Sequence, residues 1–425
     1  MDLKFLNFLK FYILTFLFMQ DIMQQINQRG PKMKQTIITT LILLFSFFAY
    51  SPAQANDANE AYIKAVTTPD VNLQAKLFKE YLTKFEGKGT QYENFVHANL
   101  CILNYRGKTA SETIKHGEKA LALGGLDDFT KCKILITLSG VYIHQGQDLE
   151  KAKTYASQVV QIAKTNENPQ ENSDQWKQFE GAGHFAHGQA ADKGRDYRSA
   201  AKSYIMSYKI LKNNQIAINL QKIGKSLYDV KFYKDAEEPF RVACQALKDF
   251  SSCTLYANTL YKNGKKDEAL TLYKEAYAKQ KNGKIAYSIG VILADKSKSD
   301  ASHSHEAIKY LLHASFLFPE KSKQAMQLAQ GIFFHLDENR KYNENVKEIQ
   351  ECTKKIEELT KTFNKKYENK DEEDLSEAEK KEMKLIINDI ETEKKAIKKL
   401  EDEQKVTLEK FNTLIQETKQ RLGIK

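Results

Sequence analysis

The chain has 425 residues, and because one hydrophobic core rarely serves more than about 200 residues, we expect two or three structural units. Its 6 prolines and 19 glycines are too few for collagen-like or mucin-like segments, or for the turns of a many-stranded sandwich or barrel. The formal net charge is +10, but 65 basic and 55 acidic residues are finely mixed along the chain. This mixture indicates a solvated helical surface and argues against a nucleic-acid interface.

The amino-terminal 55 residues predict export. From Met33 the chain carries Lys34, an apolar run over residues 37–50 and an Ala-Gln-Ala sequence that ends at Ala55. These are the charged, apolar and cleavage regions of a secretory signal peptide. We therefore expect cleavage after Ala55 and a periplasmic or otherwise exported mature chain.

A second apolar piece, residues 11–19, precedes the predicted signal peptide. Two interpretations are open: translation starts at Met33, or residues 1–32 form a membrane anchor. Nine apolar residues are shorter than the roughly 20 that a spanning helix needs. Membrane association is accordingly expected only if the signal segment is left uncleaved.

Between residues 56 and 338 one spacing of small and aromatic residues returns several times. In the clearest copies a small residue is followed twelve positions later by alanine, sixteen later by an aromatic residue and nineteen later by a small residue. Two consecutive copies are Gly224, Ala236, Phe240 and Ala243, then Ala257, Ala269, Tyr273 and Ala276. Further copies begin at Gly140, Gly188 and Gly290. Small residues at these positions let two helices approach closely, with the aromatic ring filling the space beside them.

This pattern resembles the tetratricopeptide repeat family, whose unit is about 34 residues of helix-turn-helix. The resemblance covers roughly residues 60–320, and since no copy has the early tryptophan typical of the family, the repeats are degenerate. It implies an all-α fold, a right-handed α-solenoid of roughly five to seven helix pairs in which each pair buries its apolar stripe against its neighbours. It also implies a non-catalytic scaffold for protein-protein interaction.

On this resemblance, the first helices of the repeats line a concave surface that binds a peptide or a partner domain. Amide, hydroxyl and aromatic groups there suit hydrogen bonding to a backbone and stacking on side chains, which favours a peptide over a lipid. The alternative for Tyr228 and Tyr261 is that both rings pack between neighbouring repeats. The predicted partner-binding residues are Gln189, Gln221, Lys225, Tyr228, Thr254, Asn258, Tyr261 and Tyr287.

Residues 339–425 predict a long coiled-coil helical hairpin. Their charge is high, a polar segment at 369–374 interrupts them, and Ser376 with Glu379 forms a capping box that restarts the helix. The alternatives are an intermolecular coiled coil that forms a homodimer, which would make the protein a structural oligomeriser, and a solvated tail. The apolar seam, in steps of three and four residues, comprises Ile349, Cys352, Ile356, Leu359, Phe363, Met383, Ile386, Ile390, Ile397, Leu400, Leu408, Phe411 and Leu414.

Five cysteines in an exported chain are an odd number, so at least one thiol is left over or pairs between molecules. Cys244 and Cys253 lie at the end of one predicted helix and the start of the next, where a turn can bring them within disulfide reach. The alternative is that both are small packing residues. Cys101, Cys132 and Cys352 are expected in the core or the seam.

No catalytic residue, cofactor or metal is predicted. The dinucleotide-like glycine string at 181–186 lies in a helical pattern without a βαβ unit. His184 and His187 lie on one helix face, either as interior packing residues or as a metal pair. Residues 295–306 space oxygen atoms like a calcium loop but lack its central glycine, so a solvated loop is expected. Metal binding is therefore the lesser alternative function.

Overall fold

The computed structural model describes residues 52–166, 173–368 and 370–424, and their regular secondary structure is entirely helical. Seventeen α-helices follow one another within these ranges, which confirms the predicted all-α class of consecutive antiparallel helix pairs. The predicted signal segment up to residue 51 lies outside the described residues, and the predicted cleavage point after Ala55 falls in the first turn of the first helix. None of the described helices combines the length and the apolar composition of a membrane span.

The chain divides into two compact units, of which the first ends at Asn166. Its helices pair in sequence, and Phe78, Tyr81, Val96 and Leu100 are fully buried in a core beneath the first three of them. The helices are α1 Pro52–Val66, α2 Val71–Phe85, α3 Glu93–Arg106, α4 Ala110–Leu123, α5 Asp128–Gln145 and α6 Leu149–Asn166.

The second unit holds the remaining described residues, 173–368 and 370–424. Its first nine helices are short and pair in sequence, whereas the last two are long. They are α7 Ser173–Lys193, α8 Tyr197–Leu211, α9 Asn214–Asp229, α10 Tyr233–Leu247, α11 Phe250–Lys262, α12 Lys266–Lys279, α13 Gly283–Lys296, α14 Ser304–Leu317, α15 Ser322–Phe334, α16 Arg340–Tyr367 and α17 Glu377–Leu422.

The small residues of the repeat pattern lie where two helices of a pair meet. A Cβ atom on Gly224 would lie 2.9 Å from the Phe240 ring, and one on Gly188 would lie 2.8 Å from the Tyr204 ring. The predicted close approach is therefore confirmed, with one correction. The nearest neighbour of each glycine is the aromatic ring sixteen positions later, because the space without a Cβ receives the ring itself.

The Cys244–Cys253 disulfide is formed, with the two Cα atoms 4.6 Å apart across the turn between α10 and α11. Cys101 and Cys132 are buried as predicted, and burial raises the pKa of the Cys101 thiol to about 12. Cys352 is half-buried on α16. Two of the five cysteines are thus cross-linked, two are buried, and one is partly exposed.

Replacing both Cys244 and Cys253 by serine is expected to lower the free energy of unfolding of the second unit by about 2–3 kcal/mol, because a loop of about ten residues loses its constraint on the unfolded chain. Urea unfolding followed by fluorescence of Trp176, the single tryptophan, measures the change. Cys352→Ser is the control and should stay within about 0.5 kcal/mol. Equal midpoints for the double variant and the parent would contradict the expectation.

Helices α16 and α17 run antiparallel within one chain. Lys355 donates to Glu393 at 3.1 Å, and Asn345 donates to Glu403 at 3.1 Å, so positions along α16 rise as those along α17 fall. The predicted capping box at the start of α17 is present, with the Ser376 side chain and Glu379 bonded reciprocally. The antiparallel helical hairpin is confirmed, while a coiled-coil seam and a homodimer through residues 339–425 stay predictions.

The carboxyl-terminal part of α17 belongs to the core of the repeats. Phe411 is 4% exposed, and its ring centroid lies 5.0 Å from that of Phe333 and 6.1 Å from that of Phe334. Leu414 packs against the same core. The prediction that Phe411 and Leu414 lie on the hairpin seam is therefore wrong. The reason is the difference in length, since α17 has 46 residues and α16 only 28. The end of α17 therefore extends beyond α16 and covers the apolar end of the last repeats.

Candidate functional site

The constant repeat length arranges half-buried side chains in columns on one surface of α9, α11 and α13. We call this surface, which contains seven of the eight predicted partner-binding residues, the first-helix face. Gln189, the eighth predicted residue, is half-buried on α7 and corresponds in the repeat to Lys225. The columns are Gln221, Thr254 and Tyr287; Lys225, Asn258 and Val291; and Tyr228, Tyr261 and Ala294. Lys225 is exposed and the other eight are half-buried, so each presents part of its side chain to solvent.

Polar residues of the first-helix face are oriented by hydrogen bonds within the protein. The Gln221 amide donates to Ser252 Oγ at 2.9 Å and so links α9 to α11. The buried Tyr273 hydroxyl donates to Asn258 Oδ1 at 2.6 Å, which fixes the side-chain amide of Asn258. Thr254 Oγ1 donates to the carbonyl of Phe250, one turn earlier in α11. These groups therefore have a fixed orientation on the first-helix face.

The tyrosine rings of the first-helix face are packed on one side and exposed on the other. Tyr228 meets Tyr233 edge to face, with centroids 5.0 Å apart, and Tyr287 meets Phe318 in the same way at 6.1 Å. Burial raises the pKa of Tyr228 and of Tyr287, so both hydroxyls stay protonated donors near neutral pH. Tyr261 packs against the core of its repeats. Each of these tyrosines is thus partly packed and partly exposed.

A shallow pocket of about 330 Å³ continues the first-helix face beyond Tyr261. Its apolar wall includes Val291 and Leu328, the latter 37% exposed. Lys266 and Lys298 line it and both donate to Asp295, at 2.6 and 3.3 Å. Hydrogen bonds from Lys266 and Lys298 lower the pKa of the Asp295 carboxyl.

Apart from Tyr261, which was predicted, the pocket residues were missed by sequence reasoning, although part of the signal was present. Extending the columns by one more repeat from Asn258 and Tyr261 reaches Val291 and Ala294, which line the pocket. Leu328 lies on the next first helix, α15. The insertion after α13 breaks the constant repeat length, so extending the columns does not identify Leu328. An exposed leucine is also common and by itself indicates nothing.

Among the described residues, neither of the two metal sites considered from sequence gathers three His, Cys, Asp or Glu ligands. His187 Nδ1 lies 2.9 Å from Ser203 Oγ, whereas His184 Nε2 lies 3.7 Å from Glu180. In the 295–306 loop the carboxylates pair with lysines instead of converging, Asp295 with Lys266 and Lys298, and Glu306 with Lys274 at 2.8 Å. Loop oxygens already held by separate lysines do not form a calcium cage.

No family model and no curated protein matches this chain. Among solved structures, it is similar to a tetratricopeptide repeat protein from Parabacteroides merdae, with 15% identity over 65% of this chain and 99% of that chain and a TM-score of 0.33. The C-terminal part of a TPR repeat-containing protein from Cytophaga hutchinsonii is 11% identical over 67% and 95%, with a TM-score of 0.35. The TPR2AB domain of yeast Sti1, in complex with pHSP90, is 14% identical over 56% and 98%, with a TM-score of 0.24. Because these scores are low, we take the helix-pair architecture from the helix order and packing of this chain.

Proposed function

We propose that the protein is an exported, non-catalytic scaffold whose first-helix face binds an extended peptide segment of a partner protein. The observation that carries the proposal is the continuity between columns of fixed amide and hydroxyl groups and a partly apolar pocket at their end. Peptide recognition commonly combines hydrogen bonds to the backbone with a pocket for one side chain. The first-helix face offers both the polar groups for such hydrogen bonds and an adjoining pocket.

The geometry supports a ligand that is extended and partly apolar. Val291 and Leu328 offer apolar surface to one side chain, while Gln221 and Asn258 lie on the same face with amides that fold contacts already hold in place. A group that is oriented before binding loses less entropy on binding, so two such amides favour a backbone ligand.

Export is supported by two independent features. The sequence from Met33 to Ala55 has the regions of a signal peptide, and Cys244 and Cys253 form a disulfide. Disulfides persist in oxidising compartments and are rare in the cytosol. Purification from the exported fraction followed by intact mass tests the proposal, and a chain that begins at Asn56 is the expected result. A chain that retains residues 1–55 would contradict it.

The combined substitution Tyr261→Ala and Asn258→Ala is expected to weaken peptide binding at least about tenfold, because it removes one ring and one oriented amide from the face. Peptides selected from a displayed library of random sequences serve as the probe, and fluorescence anisotropy measures their affinity. Phe232→Ala is the matched control, since Phe232 is 46% exposed in the turn after α9 and its ring faces Arg198 instead of the pocket.

Asn258→Ala also frees the buried Tyr273 hydroxyl, so a second variant separates binding from folding. Leu328→Glu changes an exposed pocket residue without emptying the core and should weaken the same peptides to a similar degree. Affinities that match those of the parent chain in both variants would exclude the first-helix face as the binding site.

A further inference from the structure

The first unit contains a group of nitrogen and oxygen donors that the peptide-binding proposal does not use. Glu86 follows the last residue of α2, Glu93 is the first residue of α3, and His97 lies one turn later on α3. One potential ligand atom from each of the three lies within 4.8 Å of the others. His97 is 2% exposed and Glu93 is 6% exposed, whereas the side chain of Glu86 is 50% exposed.

His97 Nε2 is buried and has no hydrogen-bond partner among the described residues. It lies 3.6 Å from Glu86 Oε1, which is beyond hydrogen-bond distance. Buried ring nitrogens are normally hydrogen-bonded, and one left facing carboxylates requires an explanation. A cation between the nitrogen and the carboxylates would satisfy all of them.

The surrounding contacts orient these donors as in an outer ligand shell. The Gly87 backbone amide donates to Glu93 Oε2 at 3.0 Å and fixes the carboxylate. His97 Nδ1 lies 2.8 Å from His116 Nδ1, a contact that holds one proton between the two rings. With that proton on His97, His97 Nε2 keeps its lone pair for a metal, and the remaining ring nitrogen of His116 faces Glu112 at 3.5 Å. Histidine ligands of metals usually donate their other ring proton in this way.

We propose that Glu86, Glu93 and His97 bind a divalent transition-metal ion such as Zn²⁺, with His116 as a positioning residue. Zn²⁺ accepts imidazole and carboxylate ligands at about 2.0–2.2 Å, so ligand atoms around it lie up to about 4 Å apart. The three donor atoms lie within 4.8 Å of one another, so a rearrangement of under about 1 Å brings them to this spacing. One imidazole with two carboxylates favours Zn²⁺ or its first-row neighbours over Ca²⁺. Glu86 also provides the route by which an ion enters from solvent.

Isothermal titration of the full, EDTA-treated chain with ZnCl₂ tests the proposal, and Co²⁺ provides an independent spectroscopic signal. We expect one Zn²⁺ per chain and a Co²⁺ visible spectrum that the variants change. Glu86→Gln, which alters a half-exposed residue, should weaken binding at least about tenfold, and His97→Gln at least about a hundredfold. His305→Gln, an exposed histidine of the second unit, should leave the affinity unchanged.

His116→Gln should weaken Zn²⁺ binding about tenfold while unfolding in EDTA stays close to that of the parent, because the positioning contact acts through His97. Zn²⁺ should also raise the unfolding midpoint of the parent chain, and Glu86→Gln should reduce that increase. Absence of a stoichiometric ion, or equal affinity in the parent, Glu86→Gln and His97→Gln, would overturn the proposal and leave a buried histidine pair of purely structural role.

Discussion

Gly283→Ala should destabilise the second unit by on the order of 3 kcal/mol, through overpacking against rigid atoms. A Cβ atom at Gly283 would lie 2.2 Å from the carbonyl oxygen of Leu317 and 2.7 Å from the amide nitrogen of Phe318. Both neighbours are backbone at the end of α14, so no side chain can rotate away. The clash therefore requires α13 and α14 to separate where the next helix pair begins.

The matched control is Gly331→Ala, a second helical glycine of the same unit. A Cβ atom there would have nothing within 4 Å, so the substitution should add about 0.5–1 kcal/mol of stability through helix propensity. Urea unfolding followed by Trp176 fluorescence measures both variants. If Gly283→Ala unfolded at the parent midpoint, the close approach of α13 to the end of α14 would be refuted.

The close contact at Gly283 could not be predicted from the repeat pattern. Gly188 and Gly224 could be predicted as close-contact positions because each recurs at the same place in a repeat and precedes an aromatic residue by sixteen positions. Gly283 has no counterpart in that pattern, and its neighbour is the backbone of Leu317 at the far end of the next helix. A glycine that makes room for an aromatic ring can be predicted from the spacing of the two residues. A glycine that makes room for backbone atoms cannot, because every residue has a backbone.

The candidate peptide-binding site was predictable to the extent that it follows the repeat. The positions of Thr254, Asn258 and Tyr261 follow from spacing alone, because a constant repeat length returns each first helix to the same face. The hydrogen bond from Tyr273 to Asn258 was not predictable, since it depends on how deeply the ring of the second helix enters the pair. In the pocket, Val291 and Ala294 continue the same columns and could have been predicted, whereas Leu328 lies beyond the register break after α13 and could not.

The candidate metal site shows a sequence signal that is weak alone. Glu93 precedes His97 by four residues and Glu112 precedes His116 by four, so each helix of one pair places a glutamate and a histidine on the same face. Such spacings are common on solvated helices. Only the packing of α3 against α4 brings the two histidines within 2.8 Å. Glu86, from the turn before α3, has no sequence relation to either pair.

Acid should destabilise the second unit through His313, a buried histidine on α14. Tyr277 Oη lies 2.8 Å from His313 Nδ1, and burial, with Lys309, Lys281 and Arg421 nearby, lowers the pKa of His313 to about 4. In the unfolded chain the pKa of histidine is about 6.5, so between pH 6.5 and 4 the unfolded state binds more protons than the folded state. Stability is therefore lost as the pH falls through this window, by about 2 kcal/mol at pH 5 relative to pH 7.5.

His313→Gln should remove that loss, since glutamine can accept the Tyr277 hydrogen bond and does not titrate. Urea unfolding at pH 7.5 and pH 5, read from Trp176, isolates the second unit from the histidines of the first. His305→Gln, an exposed residue on the same helix, is the control and should keep the pH dependence of the parent. Lys309 on α14 and Arg421 on α17 both oppose a positive charge on His313, so the expected acid response belongs to the place where α17 covers the last repeats. If His313→Gln kept the pH dependence of the parent's stability, the acid response would arise from other groups.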